Sequence, residues 1–118
     1  MPVTINGTAG VTFNDSSVQG ASAIGYSQTW QNVTGSRAIG TTYTNSSGKP
    51  IEVIVSGTGN GTNGLWGCTI NSAVTFYSPS TYANGGWTYL CFIVPNGQTY
   101  QLTQQGSNAT LQNWSELR

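Results

Sequence analysis

No stretch of this chain carries the repeating apolar pattern of a helix, and turn signals interrupt it about every 8–14 residues. They fall at Gly35-Ser36, Asn45-Ser-Ser-Gly48-Lys-Pro50, the Gly57–Gly67 stretch, Ser78-Pro79-Ser80, Asn84-Gly-Gly86, Pro95-Asn-Gly97 and Gln105-Gly-Ser-Asn108. Short apolar or alternating runs lie between them. A chain cut at that spacing can bury its apolar residues only by pairing short strands, as in a sandwich or barrel. The predicted strands are Ser27–Val33, Thr41–Asn45, Ile51–Ser56, Gly67–Asn71, Ala73–Tyr77, Trp87–Val94, Thr99–Thr103 and Ala109–Leu117. Asn71-Ser72 reads as a tight turn. Trp87–Val94 is the most apolar run and is expected at the centre of a sheet, and Thr99–Thr103 as the second arm of a hairpin after Pro95-Asn96-Gly97. The expected fold is an all-β antiparallel sandwich, jelly-roll-like, of about eight strands with no significant helix.

Residues 26–118 hold those strands. Residues 1–25 are thin in apolar side chains and read as an extended, shaft-like leader with short pieces at Val3–Ile5 and Val11–Phe13. Such a segment gains order when several copies wrap together. Only 5% of residues are charged, against about a quarter in ordinary domains, and 36% are hydrophobic. Low charge and low hydrophobicity leave order undecided, but aromatic residues make up 11% of the chain and lie among β-branched ones. That combination marks a folded β domain with an uncharged polar surface, suited to work outside a cell.

The formal net charge is zero, so phosphate neutralisation offers no route to nucleic acid. No apolar run approaches the ~20 residues of a membrane helix. There is no histidine, which removes His-based triads, acid–base catalysis and His metal sites. The carboxylates are Asp15, Glu52 and Glu116, and the cations Arg37, Lys49 and Arg118. Glycoside hydrolysis needs two carboxylates flanking one bond, and these lie far apart in sequence. The Gly-rich Gly57–Gly64 stretch lacks the Gly-Lys-Ser/Thr of a phosphate loop. No catalytic residue, metal or cofactor is expected. Arg37 and Glu116 form an expected structural pair.

Cys68 and Cys91 read as two small buried thiols or as a disulfide between neighbouring strands; two cysteines without histidine make no zinc site. Sequons are abundant, at Asn6, Asn14, Asn32, Asn45, Asn60, Asn108 and Asn113. The N-terminus does not read as a signal peptide. The sequons are therefore taken as a by-product of Asn, Ser and Thr richness in a bacterial or viral protein made in a cytoplasm.

Two loops carry the candidate binding residues. The first holds Asn60 and Asn63 and ends at Trp66. The second runs from Tyr77 through Tyr82 and Asn84 to Trp87. Exposed rings stack on sugar faces or anchor protein contacts, and amides supply adaptable hydrogen bonds. The competing reading is that Trp66 and Trp87 flank strands and cap the core.

The segment Gly25-Tyr-Ser-Gln-Thr-Trp-Gln-Asn-Val-Thr-Gly-Ser-Arg37, continued by Gly40-Thr-Thr-Tyr-Thr-Asn-Ser-Ser-Gly-Lys-Pro-Ile-Glu-Val53, resembles the C-terminal domain of bacteriophage and prophage tail-fibre proteins. Phe92-Ile-Val-Pro-Asn-Gly-Gln-Thr-Tyr100 and the closing Asn113-Trp-Ser-Glu-Leu-Arg118 are similar too, as is the leader Val11–Gln19. The resemblance covers residues 11–53 and 91–118 and leaves 57–87 unmatched. It implies a homotrimeric distal tip on the virion, made in the bacterial host and attached to other tail proteins. Such a tip contacts a host-surface glycan or protein without inserting into a membrane. It carries no catalytic motif. The alternatives are a trimerisation or decoration module and a depolymerase-like domain.

Overall fold

The computed structural model describes residues 4–6, 10–13, 16, 18–19, 24–59, 65–78, 86–105 and 109–118. Eleven strands are present, β1 (Thr4–Asn6), β2 (Gly10–Thr12), β3 (Val18–Gln19), β4 (Trp30–Asn32), β5 (Thr42–Thr44), β6 (Ile51–Gly59), β7 (Leu65–Ile70), β8 (Val74–Tyr77), β9 (Gly86–Val94), β10 (Thr99–Gln105) and β11 (Ala109–Leu117). One 3₁₀ turn at Thr34–Ser36 is the only helical piece among the described residues.

Strands β4 to β11 form two four-stranded antiparallel sheets, ordered β4-β11-β6-β9 and β5-β10-β7-β8. Counted within the sandwich, these are strands 1-8-3-6 and 2-7-4-5, the winding of a jelly roll. The all-β sandwich read from the sequence is therefore the fold observed, and each of its eight predicted strands has a counterpart. Strand β6 runs three residues further than expected, into the Gly-rich stretch, because Gly57, Thr58 and Gly59 pair on both sides with β9 and β11.

Only β7 and β8 form a hairpin within a sandwich sheet. Its turn is Asn71-Ser72, both with positive φ (51° and 58°), closed by a 3.1 Å bond from the Ala73 N–H to the Ile70 carbonyl. Two left-handed residues in a two-residue turn match the twist of the flanking strands.

Two expectations are corrected. Strand β9 lies at a sheet edge, with β6 on one side and no strand on the other among the described residues. Its apolar run is not a centre-strand signature, since burial alternates along it. Leu90, Phe92 and Val94 face the core while Trp87, Tyr89, Cys91 and Ile93 face out. Nor do β9 and β10 form a hairpin, for they belong to different sheets. Asn45, fully buried, holds the crossing. Its side-chain amide donates to the Val94 carbonyl (2.9 Å) and the Lys49 carbonyl (2.7 Å). Its backbone N–H donates to the Gln98 carbonyl, and its own carbonyl accepts from Gly97 N–H.

The core is a file of aromatic rings running through both sheets. Phe76 meets Phe92 (5.6 Å between centroids), Phe92 meets Tyr100 (6.2 Å), Tyr100 meets Trp114 (6.4 Å), and Tyr43 meets both Tyr100 and Trp114. Spacings of 4.5–7 Å with tilted planes are the favoured geometry for such pairs. Ile51, Val53, Val55 and Leu102 fill the spaces around them.

Within residues 1–25, the described residues form a small antiparallel sheet, β1-β2-β3, whose pairing stays within itself. Ile5 and Phe13 are exposed. The chain as a whole is elongated, 59 × 25 × 21 Å.

Candidate functional site

The two expected binding loops end on strands, and alternation along those strands decides where each aromatic ring goes. Trp66 stands on β7 with Cys68, facing inward, and is fully buried. The binding role expected for it is corrected: Trp66 is a core residue. Its ring needs Gly57, since a Cβ there would come within 2.8 Å of the Trp66 ring and closer still to the Thr110 carbonyl. Tyr77 is exposed at the end of β8, with its ring over Gly67, where an added Cβ would lie 3.0 Å from it. Trp87 is the second residue of β9 and is 68% exposed. Tyr77 and Trp87 flank the same loop yet lie on opposite outer faces of the sandwich. Asn60, Asn63, Tyr82 and Asn84 lie outside the described residues.

Between those two rings the strands are locked by Ser78. Its backbone N–H donates to the Trp66 carbonyl (2.8 Å), and its hydroxyl accepts from the Trp66 N–H (2.9 Å) and the Thr88 hydroxyl (3.0 Å). A buried hydroxyl that joins β7 to the start of β9 sets where the second loop leaves and where Trp87 begins.

Trp87 heads a column. On β9, Trp87, Tyr89, Cys91 and Ile93 project from the outer face of the β4-β11-β6-β9 sheet. Their register partners on β6 are Thr58, Ser56, Ile54 and Glu52, followed on β11 by Thr110, Asn113, Ser115 and Leu117. The surface is thus an apolar edge column beside mostly uncharged polar ones. Glu52 is its only charge among the described residues, and its Oε1 accepts from the Cys91 thiol at 3.1 Å.

The two thiols are free and far from equivalent. Cys68 is buried on β7 and Cys91 exposed on β9, in different sheets. Burial pushes Cys68 up to about 12. Cys91 rises to about 11 through local desolvation and the Glu52 carboxylate that accepts its proton. Neither is a thiolate nucleophile at neutral pH.

The structure brings Arg37 and Glu116 together, 79 residues apart in the chain. Arg37 Nε donates to Glu116 Oε1 (2.8 Å) and Nη2 to Oε2 (2.9 Å), a two-pronged pair. Tyr100 donates its hydroxyl to Oε1 at 2.6 Å, and Arg118 Nη1 stands 3.2 Å from Oε2. The Arg37 guanidinium also lies over the Tyr43 ring, 4.5 Å from its centroid. Burial by itself would raise the Glu116 carboxyl. The hydrogen bonds from Arg37 and Tyr100 and the charges of Arg37 and Arg118 outweigh that and hold it below the usual carboxylate range. Every part of Glu116 is enclosed, so the group is structural.

Glu116 pairs in register with Val53 and faces inward, whereas Glu52 faces outward. These two carboxylates therefore stand on opposite faces of one sheet and do not flank a common bond. Asp15 lies outside the described residues. No group of three or more Cys, Asp or Glu able to hold a metal occurs among the described residues.

No protein-family model matches this chain, and no curated protein or solved structure matches it significantly. The first and last strands of the sandwich meet in space. Strand β4 pairs with β11, setting Trp30 against Leu117, Gln31 against Glu116 and Asn32 against Ser115. Gln28 Nε2 donates to the carbonyls of Leu117 (3.1 Å) and Pro50 (2.9 Å). Those contacts close the sandwich.

Sequence reasoning missed the outer column of β9 below Trp87. The alternation of Trp87, Tyr89, Cys91 and Ile93 was visible in the sequence. It does not stand out, because the intervening Leu90, Phe92 and Val94 are apolar as well.

Proposed function

We propose that this domain is the receptor-contacting tip of a bacteriophage tail fibre, acting as a homotrimer held by other tail proteins on the virion. The observation that carries this reading is Trp87, a large ring 68% exposed at the loop end of a rigid strand, with no part in the core. An indole in that setting stacks on the apolar face of a sugar or seats in a protein pocket. Uncharged Asn, Ser and Thr around it supply hydrogen bonds without a charge to desolvate. The resemblance of residues 11–53 and 91–118 to tail-fibre C-terminal domains supports the same reading. Three weak sites per tip would give adsorption through avidity.

The test is binding of labelled wild-type protein and its Trp87→Ala and Tyr77→Ala variants to a panel of bacterial strains. Envelope-polysaccharide and outer-membrane-protein mutants of a binding strain tell glycan from protein. The reading expects wild type to decorate some strains and Trp87→Ala to lose most of that signal while melting normally. Unchanged decoration by both variants would remove the site assignment. The rival reading, a trimerisation or decoration module, draws on the apolar outer column of β9. It expects no decoration of any strain.

A further inference from the structure

The outer face of the β5-β10-β7-β8 sheet carries the Tyr77 ring, and the missing side chain at Gly67 sets how that ring lies. Gly67 holds an outward position on β7, yet it is buried. Its register partner is Tyr77. A Cβ at Gly67 would stand 3.0 Å from Cε1 and 3.1 Å from Cδ1 of the Tyr77 ring, and 2.6 Å from the Thr103 hydroxyl oxygen. Two ring atoms at nearly one distance mean that the ring leans across β7 instead of standing off the sheet edge. An aromatic side chain over a cross-strand glycine covers exposed backbone. The ring is still 55% exposed, so the side turned away from Gly67 is open to solvent.

Around the ring, hydroxyls and an amide stand in rows. Across the sheet from Tyr77 come Gly67 and Thr103. One step along the strands, Thr75, Thr69, Gln101 and Thr42 stand side by side, and beyond them Thr99 and Thr44. Such rows are about 7 Å apart and the strands about 5 Å apart, a grid that spans a short oligosaccharide. Several of these groups are already held in place. The Thr69 and Thr75 hydroxyls lie 3.1 Å apart, and Gln101 Nε2 donates to the Gly40 carbonyl at 2.7 Å. One hydroxyl of the threonine pair donates to the other, which leaves an O–H and several lone pairs for a ligand. None of these residues is charged.

That chemistry selects the occupant. A single ring at this exposure offers roughly 100 Å² of apolar surface. One side of a standard protein interface needs about 800 Å², a little over half of it apolar, so a protein partner finds too little here. With no cation, the face has no answer to a phosphate or a carboxylate. A neutral sugar fits on both counts, with C–H groups that stack on a ring and uncharged hydroxyls that pair with hydroxyls and amides. We propose that this face binds a neutral glycan, with one sugar stacked on Tyr77 and the next ones hydrogen-bonded to Thr103, Thr69, Thr75 and Gln101. The site lies on the opposite outer face from Trp87 and does not depend on the tail-fibre reading.

The experiment applies the full chain to a glycan microarray that holds neutral hexose and N-acetylhexosamine oligosaccharides beside uronate- and sialate-bearing ones. The wild type is compared with Tyr77→Ala, Tyr77→Phe, the double variant Thr69→Val with Thr103→Val, and Ser46→Ala, which removes a hydroxyl from an exposed loop. Circular dichroism checks strand content. The expected result is binding confined to neutral glycans. Tyr77→Ala should weaken it by about tenfold or more, as loss of an aromatic anchor does. The threonine double variant should weaken it by about tenfold, for two hydrogen bonds lost. Tyr77→Phe keeps the ring and should recover most of what Tyr77→Ala loses, while Ser46→Ala binds as the wild type does. A wild type that binds only acidic glycans, or none, overturns the proposal and leaves the tail-fibre reading to a protein receptor. Neutral-glycan binding that Tyr77→Ala and the threonine variant both keep, while folded, overturns it as well and puts the glycan elsewhere on the chain. Should Tyr77→Ala lose its strand spectrum, the threonine variant decides: weakened binding upholds the site and unchanged binding overturns it.

Discussion

At Glu116 a carboxylate sits in the core of a chain with six charged side chains in all, and its partners explain how. Arg37, Tyr100 and Arg118 together supply four contacts to its two oxygens, so the charge is enclosed but answered. Removing one side of such a pair leaves the other unanswered. Glu116→Gln is expected to lower stability by about 3 kcal/mol in urea denaturation at neutral pH. The pH dependence follows from the same contacts. The carboxyl is held below its unfolded value of 4.5, so its contribution is complete above that pH and is lost as pH falls through the lower folded value. Wild type should therefore lose stability on acidification below about pH 4.5 more steeply than Glu116→Gln, and parallel urea midpoints would refute this. Gly57 is a second such position. An Ala there meets the Thr110 backbone, which cannot move aside, and the Trp66 ring. Gly57→Ala is expected to cost about 1–3 kcal/mol by the same assay. Trp66→Ala should cost about 3–5 kcal/mol, a core truncation. The indole N–H groups of Trp66 and Trp114 have no acceptor among the described residues, and both rings are fully buried.

Among the strands, β9 shows how an element can mislead. Eight consecutive residues from Trp87 to Val94 look like a buried strand, yet only one face is covered. The inward residues build the aromatic file through Phe92; the outward ones make the surface on which both functional ideas depend. Trp87→Ala tests the division directly. It should leave the melting temperature within the shift expected of about 0.5 kcal/mol, while Trp66→Ala, on a neighbouring strand and from the same candidate group, should not. A large loss of stability in Trp87→Ala would mean the ring has a packing role that its exposure does not show. Strand β7 delivered the opposite surprise, turning its tryptophan inward because Gly57 on β6 leaves room for it.

The molecule as a whole is longer than a compact domain of its size. Its radius of gyration is 17.7 Å, against roughly 13–14 Å for a compact chain of this length. The separate β1-β2-β3 sheet, with Ile5 and Phe13 exposed, has little of its own to bury. In the homotrimer proposed above, wrapping by further copies would cover these side chains. If so, thermal stability should rise with protein concentration, because association favours the folded state by mass action. Melting temperatures measured over a hundredfold concentration range check this, and a constant value would count against any assembly.

Fold class, strand number and most strand positions were legible in the sequence because they depend on local chemistry. Turn residues punctuate the chain, β-branched and aromatic residues fill the spans between, and Asn71-Ser72 falls where two such spans need a tight turn. The partnership of Arg37 with Glu116 was legible too, because a chain with so few charges leaves few choices. Face and neighbour were not legible. Whether Trp66 or Trp87 turns inward depends on a glycine on another strand and on the parity of each strand as it enters its sheet. Whether β9 is central or an edge depends on which strands pair beside it, and those lie up to 43 residues away along the chain, as Ile51 does from Val94. Such relations exist only once the sheets have closed, since a side chain's direction is set by its partner strands and not by its neighbours in sequence.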